Sequence, residues 1–431
     1  MSWELSQRIL TKLSDLSSNT TNEPCIFKVH DSLRSNNKEA YEPKVLSIGP
    51  YHHGKPNLKK MEMHKLRYLQ ELLDRTGEIS PYTYITALTE LEDRARKCYA
   101  EDISLISKDD FVEMMFLDGC FIIEFLRKLY DPKLHNSDDT IFQMNWLLKC
   151  IATDLMLFEN QVPFFILDQL FDMTLGQEED LKHLVFHLVE NLISDYGPIC
   201  SIPEISAADK VIHLLDLVHK ILCSSFAATL AETNGRALND FSAVEFIRST
   251  SELQQSGIQF EKAASVQNQS WLDITFENGK IKIPSLKVED ATESVFRNLI
   301  AYEEYMLNSQ SWRCVSDYTT FLDLLIDSPR DVEKLRHHHI ICNWLGDDEA
   351  VSTMFNKLGN DVTVDDLHFC YSKVFKEVNK YSRKRRNVWR AHLMRNYFNN
   401  PWSIISFLAA LVLLILTFVQ TIFSILQYAN Q

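Results

Sequence analysis

Two stretches place charge where apolar residues should be. Asp118 interrupts the run MMFLDGCFII, and Glu159, Asn160 and Gln161 lie between LMLF and PFFIL. A carboxylate in such surroundings must be paired and hydrogen-bonded or give up its ionisation. Two carboxyl groups opening into one cleft, within about 5 to 10 Å of each other, could work as general acid and general base, so Asp118 and Glu159 define a hydrolase-like reading. The architectural reading is weighted above it: such groups brace helix ends, and Asn160 ahead of Pro163 resembles a helix start. His52 and His53 in GPYHHG and His337, His338 and His339 in RHHHI are metal suspects. Neighbouring histidines on a helix diverge by about 100° per residue, which spreads three in a row over different faces. With no HExxH or CxxC nearby they read as solvated or packed, and Gly49-Pro50 with Gly54 makes the first site a tight turn. Asp347-Asp348-Glu349 after Gly346 reads as a helix stop followed by an N-cap and an acidic first turn. The nine cysteines are scattered and odd in number, as for buried free thiols in a reducing compartment. No GxSxG, P-loop or dinucleotide glycine set occurs. No catalytic residue, cofactor or metal ligand is therefore assigned.

The elements that would position these groups are helices. Eleven glycines and twelve prolines are few for 431 residues, and 45% apolar content supports a large core. Apolar residues three and four apart predict helices over 62–75, 81–99, 109–129, 141–158, 162–173, 178–194, 207–230, 291–307, 312–326 and 331–345. Residues 109–129 are apolar nearly all round, which predicts burial on most sides. One β-hairpin is expected, with strands at 271–277 and 280–283 and Asn278-Gly279 as its turn. The fold class is thus mainly α: a multi-helix globular body with one small β-hairpin and a C-terminal transmembrane helix. Residues 234–269, rich in Ser, Gln and Asn, read as a variable loop and a candidate specificity surface.

Charge divides the chain. Lys373 to Arg395 holds nine basic residues and one acid; taking this +8 from the chain's −15 leaves −23 on residues 1–372. Such an acidic body repels phosphate backbones, so nucleic acid is not expected as a partner. From Asn396 onward there is no charged residue, and Ile404 to Leu426 is a continuous apolar run. Its 23 residues make a helix of about 34 Å, enough to cross a hydrocarbon core of about 30 Å. Asn400 and Pro401 suit a helix start, while Trp402 and Tyr428 fall where interfacial rings anchor a span. Gln420 would be best satisfied by a second helix, which points to self-association in the bilayer as a homo-oligomer. The basic collar of Arg383, Lys384, Arg385, Arg386, Arg390 and Arg395 should stay on the cytosolic side. Its helical apolar spacing at Leu367, Tyr371, Val374, Val378, Tyr381 and Val388 predicts a helix that docks on the body before reaching anionic headgroups. The body then faces the cytosol in a tail-anchored, single-pass arrangement at the plasma membrane or an endomembrane. Sequons at Asn19 and Asn268 would matter only for a lumenal body.

The N-terminal segment, residues 1–24, reads as an amphipathic helix and linker, with residues 25–395 as the main domain and 396–431 as the anchor. Several ordered segments of this domain resemble one family. They include CIFKVHDSLRSNNKEAYEPKVLSIGPYHHG at 25–54, KKMEMHKLRYLQELL at 59–73, DDFVEMMFLDGCFIIEFL at 109–126 and LFENQVPFFILDQLF at 157–171. WLDITFENGKIKIPSL at 271–286, ESVFRNLIAYEE at 293–304, NWLGDDE at 343–349 and the apolar tail from 399 to 425 continue the match. These segments are similar to the plant-specific family with the domain of unknown function 247, also catalogued as uncharacterised family 0481. The resemblance implies a land-plant origin, one domain plus a C-terminal span, and no catalytic residues to carry over. Grass members have been linked to self-incompatibility loci, so the resemblance implies recognition or signalling through an unknown protein partner.

Overall fold

The computed structural model describes residues 3–10, 24–77, 80–136, 138–174, 180–193, 210–234, 245–264, 270–307, 311–360, 362–363, 368–384 and 401–429. After a short exposed helix at residues 3–10 (α1), the first half builds around one buried rod. Its elements are α2 (Asp31–Arg34), α3 (Lys59–Thr76), α4 (Tyr82–Arg96), α5 (Lys108–Tyr130), α6 (Thr140–Gln143), α7 (Asn145–Leu155), α8 (Phe164–Met173) and α9 (Leu181–Leu188). Helix α5 starts where Ser107 accepts from the Asp110 amide and acids occupy the first turn. Its faces are covered by α3, α4, α8 and α9, so the all-round apolar pattern is matched by burial from Phe111 to Lys128 apart from Glu113 and Leu117. Tyr68 of α3 stacks on Phe121 at 5.1 Å and Tyr84 of α4 on Phe116 at 5.6 Å. Gly119 lets α8 close in, since a methyl group there would come within 2.4 Å of Leu170 Cδ1.

The second half comprises α10 (Leu214–Asn234), α11 (Thr250–Gln255), α12 (Thr292–Met306), α13 (Cys314–Leu325), α14 (Pro329–His337), α15 (Asp348–Leu358) and α16 (Ser372–Ser382). Two small sheets join them. Strands β1 (Gln259–Lys262), β2 (Thr275–Glu277) and β3 (Lys280–Ile283) form the order β1-β3-β2, and β4 (Leu286–Val288) pairs in parallel with β5 (Ile341–Asn343). The expected hairpin is β2–β3, turned by Asn278 (φ 52°) and Gly279 (φ 83°). Strand β1 adds to it in parallel, with Phe260 opposite Ile281.

Differences from the sequence expectations have local causes. The helix expected over 331–345 stops at His337: His339 takes a left-handed conformation (φ 55°), and the next residues leave to pair with β4. Its apolar spacing fits a helix and a strand equally, and a partner strand 55 residues away decides between them. Gly346 (φ 85°) therefore turns the chain after β5 and does not stop a helix, although Asp347 does cap α15 by accepting from the Glu349 amide. The stretch 141–158 breaks at Met144 into α6 and α7, and the helix over 178–194 is α only to Leu188 before one wider turn. Within the expected variable loop, residues 245–264 are built into the core through Ile247, Leu253, Ile258 and Phe260; residues 235–244 and 265–269, including Asn268, lie outside the described residues, as does Asn19.

Helix α16 docks as expected, burying Phe375 and Val378 and laying Tyr381 across the hairpin, 5.7 Å from the Phe276 ring. The glycine at 279 is required twice: by its positive φ, and because a side chain there would strike the Tyr381 hydroxyl. The last described element, α17 (Pro401–Ala429), contains a 23-residue window, Ile405–Gln427, of mean hydropathy 2.5 and no buried share. Thr417 and Thr421 return their hydroxyls to carbonyls one turn back at 2.7 Å.

Candidate functional site

Residues 24–54 contain little regular structure, yet eleven of them, including Leu46 to Gly49, are buried, so the backbone groups there need partners. Side chains from distant helices supply them. Asp154 accepts from the amides of Lys44, Val45 and Leu46 at 2.8–2.9 Å. Asn160 accepts from Ile48 and donates to the carbonyls of Leu46 and Asp154. Asp118 accepts from Gly49 at 2.7 Å and from the Lys65 ammonium at 2.6 Å, and Lys65 also donates to the Ser47 carbonyl. Glu159 accepts from the Val29 amide and from Arg34, which also reaches Glu42. Gln161 donates to the carbonyls of Leu155 and Leu157 and accepts from Leu215. From the second half, Asn298 joins the Phe158 amide to the Ala40 carbonyl, and Tyr305 accepts from His30. Bonds to charged groups of this kind are worth about 1.5–3 kcal/mol each.

The four polar residues singled out in the sequence thus lie in one set of braces. Asp118, Glu159, Asn160 and Gln161 are each no more than 2% exposed. Burial acts to neutralise Lys65, but the carboxylates of Asp118 and Glu62 outweigh it and hold the ammonium protonated. Both oxygens of Asp118 are taken, and neither it nor Glu159 lines the open pocket bordered by Asn37, Glu293, Asp347, Glu349 and Lys357. Asn160 is not a helix start: α8 opens at Phe164, and the amide instead ties the 46–48 backbone to the end of α7. Asp154, Lys65 and Asn298 belong to the same set and were not legible as such, since the partners that matter, backbone groups for Asp154 and Asn298 and Asp118 with the Ser47 carbonyl for Lys65, are brought to them only by the fold.

His52 is buried, 2.7 Å from Lys55 Nζ and 3.4 Å from a Glu159 oxygen, whereas His53 and His337 to His339 are exposed. A different group of side chains, of types that can ligate metal, converges in the second half. His219 and Cys223, one turn apart on α10, meet Glu303 of α12: His219 Nε2 lies 2.7 Å from Glu303 Oε1 and 3.6 Å from Cys223 Sγ. Glu303 also accepts from the amides of Val315 and Ser316 and from the Ser316 hydroxyl, capping the start of α13. Cys314, at that start, interacts with Cys223 and Cys370, whose thiols act to lower its pKa against the effect of burial. Burial pushes the Cys223 and Cys370 thiols up, and Asp317, buried beside Cys370, up to about 7. The spacing HKILC is a sequence signal for the first two members; only the fold brings in Cys314 and Glu303. The described cysteines are free thiols, with Cys342 exposed and Cys98 and Cys150 half-buried.

Of the basic collar, Arg383 and Lys384 are exposed at the end of α16, with Arg383 2.5 Å from Glu245. Arg385, Arg386, Arg390 and Arg395 lie outside the described residues, as do the side chains of Trp402, Ile404 and Tyr428. Leu426 is exposed on α17.

Fold and site together define a mainly helical body with an internally braced N-terminal segment, ending in one helix long and apolar enough to span a membrane. Residues 26–416 match the family DUF247, described as plant protein of unknown function, and the chain belongs to that family. It is similar to UPF0481 protein At3g47200 of Arabidopsis thaliana, 34% identical over 423 residues covering 94% of this chain and 87% of the relative. Putative UPF0481 protein At3g02645, also of Arabidopsis thaliana, is 24% identical over 480 residues, covering 92% and 89%. No solved structure matches.

Proposed function

We propose that this plant protein is held on a membrane by α17, with its acidic body in the cytosol, and acts by binding another protein. The observation that carries the reading is the apolar window Ile405–Gln427, which buries nothing against the body. Twenty-three such residues in water would expose a patch far beyond the few hundred Å² that soluble monomers tolerate, whereas lipid accepts them. The basic residues from Lys373 to Arg395 precede it directly, and each contributes on the order of 1 kcal/mol at an anionic leaflet. Recognition is favoured over catalysis because Asp118, Glu159, Asn160 and Gln161 are consumed in holding the chain together. The membrane is the plasma membrane or an endomembrane, and Gln420 is a contact point for a second copy within it.

The test is extraction of plant membranes with alkaline carbonate, followed by protease treatment of sealed vesicles. The full chain should stay in the pellet and its body should be digested from the cytosolic side, with Asn19 and Asn268 free of glycans. Release by carbonate would remove the anchor, and protection with glycosylation would reverse the topology.

A further inference from the structure

We propose that His219, Cys223, Glu303 and Cys314 form a closed, four-coordinate zinc site that staples α10, α12 and the start of α13. His219 Nε2, Cys223 Sγ and a Glu303 oxygen all lie within 4.8 Å of one another, and all three side chains are buried. Cys314, at the start of α13, interacts with Cys223 and His219 but lies outside that 4.8 Å set, so its thiol must move in to serve as the fourth donor. Two sulfurs, an imidazole nitrogen and one oxygen make a donor set typical of zinc.

Of the spacings among the first three donors, His219 to Cys223 fits tetrahedral zinc as it stands and His219 to Glu303 fits after an adjustment. Tetrahedral zinc with Zn–S of about 2.3 Å and Zn–N of about 2.05 Å sets N and S about 3.6 Å apart; His219 Nε2 and Cys223 Sγ are 3.6 Å apart. The corresponding N to O spacing is about 3.4 Å, against 2.7 Å between His219 and Glu303. An entering ion therefore displaces the proton that these two share and parts them by roughly 0.7 Å. The thiols of Cys223 and Cys314 lose their protons at the same time. Two thiolates and a carboxylate against Zn²⁺ leave one negative charge, which faces the amide-rich start of α13. Glu303 is already oriented by the Val315 and Ser316 amides and the Ser316 hydroxyl, the outer-shell support that metal-binding carboxylates need. Cys370, beyond Cys314, and the isolated Cys120 on α5 are outside the set.

The experiment uses the full-length chain purified in detergent under reducing conditions without chelator. Elemental analysis should find about one zinc per chain, a strong chelator should lower the melting temperature, and added zinc should restore it. Replacement by Co²⁺ should give thiolate-to-cobalt charge transfer and the visible bands of tetrahedral cobalt. Cys314→Ser and Cys223→Ser should weaken binding by more than the roughly 10- to 100-fold cost of losing an outer-shell partner, while Cys120→Ser and Cys370→Ser leave metal content and the cobalt spectrum unchanged. Wild-type protein with little zinc, no response to chelator and no thiolate–cobalt band would overturn the proposal, leaving the His219–Glu303 hydrogen bond as the whole of the site. A cobalt spectrum altered by Cys370→Ser would overturn the ligand assignment. The chelator and cobalt measurements need no variant, so a misfolded mutant does not decide the outcome.

Discussion

His213 provides a sharp test of how the buried polar groups are held. Its Nδ1 accepts a hydrogen bond from the Asp216 amide at 3.1 Å, at the start of α10, so the ring must be neutral in the fold. Protonation would turn that acceptor into a donor facing a donor. Burial lowers its pKa from 6.5 to about 4, opposed by the charge of Asp216 and aided by Lys220. Because the folded value lies below the unfolded one, the unfolded chain takes up more protons as pH falls. The stabilisation from neutral His213 is thus complete above pH 6.5 and is lost as pH falls through about 4. The 2.5-unit gap corresponds to a limit of about 3 kcal/mol, of which about 2.5 kcal/mol is gone at about pH 4.5. For a body of roughly 370 residues, with about 2.1 cal/mol/K of unfolding entropy each, that is a fall of about 3 °C in melting temperature. Other groups act in the same range: burial raises Asp154 and Asp168 to about 6 and Asp317 to about 7, and their protonation relieves the fold on acidification. The informative quantity is the difference between wild type and His213→Asn, since asparagine can accept from the same amide without titrating. Asn should cost a fixed amount near neutrality through lost contact with the Phe158 and Tyr302 rings. The gap should then narrow by about 3 °C between about pH 7.5 and about pH 4.5 in thermal melts of the detergent-solubilised chain. A gap constant across that range would refute the reasoning.

Lys65→Met should destabilise the body by about 3–5 kcal/mol by leaving Asp118 buried without its cation, and Lys65→Met with Asp118→Asn should recover part of that loss; denaturant titration of the single and double variants reads it. Gly49→Ala should cost at least about 2 kcal/mol or prevent accumulation of folded protein, because φ is 68° and the new methyl would sit 2.5 Å from the Gln161 carbonyl oxygen. Gly279→Ala should loosen the hairpin's contact with Tyr381, seen as faster amide exchange in α16 with α5 unchanged.

How much could be read in advance depended on the range of each interaction. Helix α5 was legible to within a residue at each end because its apolar faces are a local pattern. The Asn278-Gly279 turn was legible for the same reason. Strand β5 was not, since Ile340 and Ile341 carry apolar spacing compatible with a longer α14 and only pairing with β4 makes them a strand. Asp118 and Glu159 announced that they had partners without naming them; Asp118 finds Lys65 and Gly49, and Glu159 finds Arg34 and Val29. The thiol and imidazole cluster was hidden more deeply, because Cys314 carries no motif and gains its meaning from α10, which lies 84 residues from Glu303 by the His219 contact.

The braces over residues 24–54 also impose a timetable on synthesis. Ala40 waits for Asn298, 258 residues later, and His30 waits for Tyr305, 275 residues later. At about 5–20 residues per second, a ribosome needs about 13 to 52 s to span the first of these gaps. Throughout that interval Ile26, Val29, Tyr41, Leu46 and Ile48 lack part of their covering, so the emerging chain carries exposed apolar surface until its second half arrives.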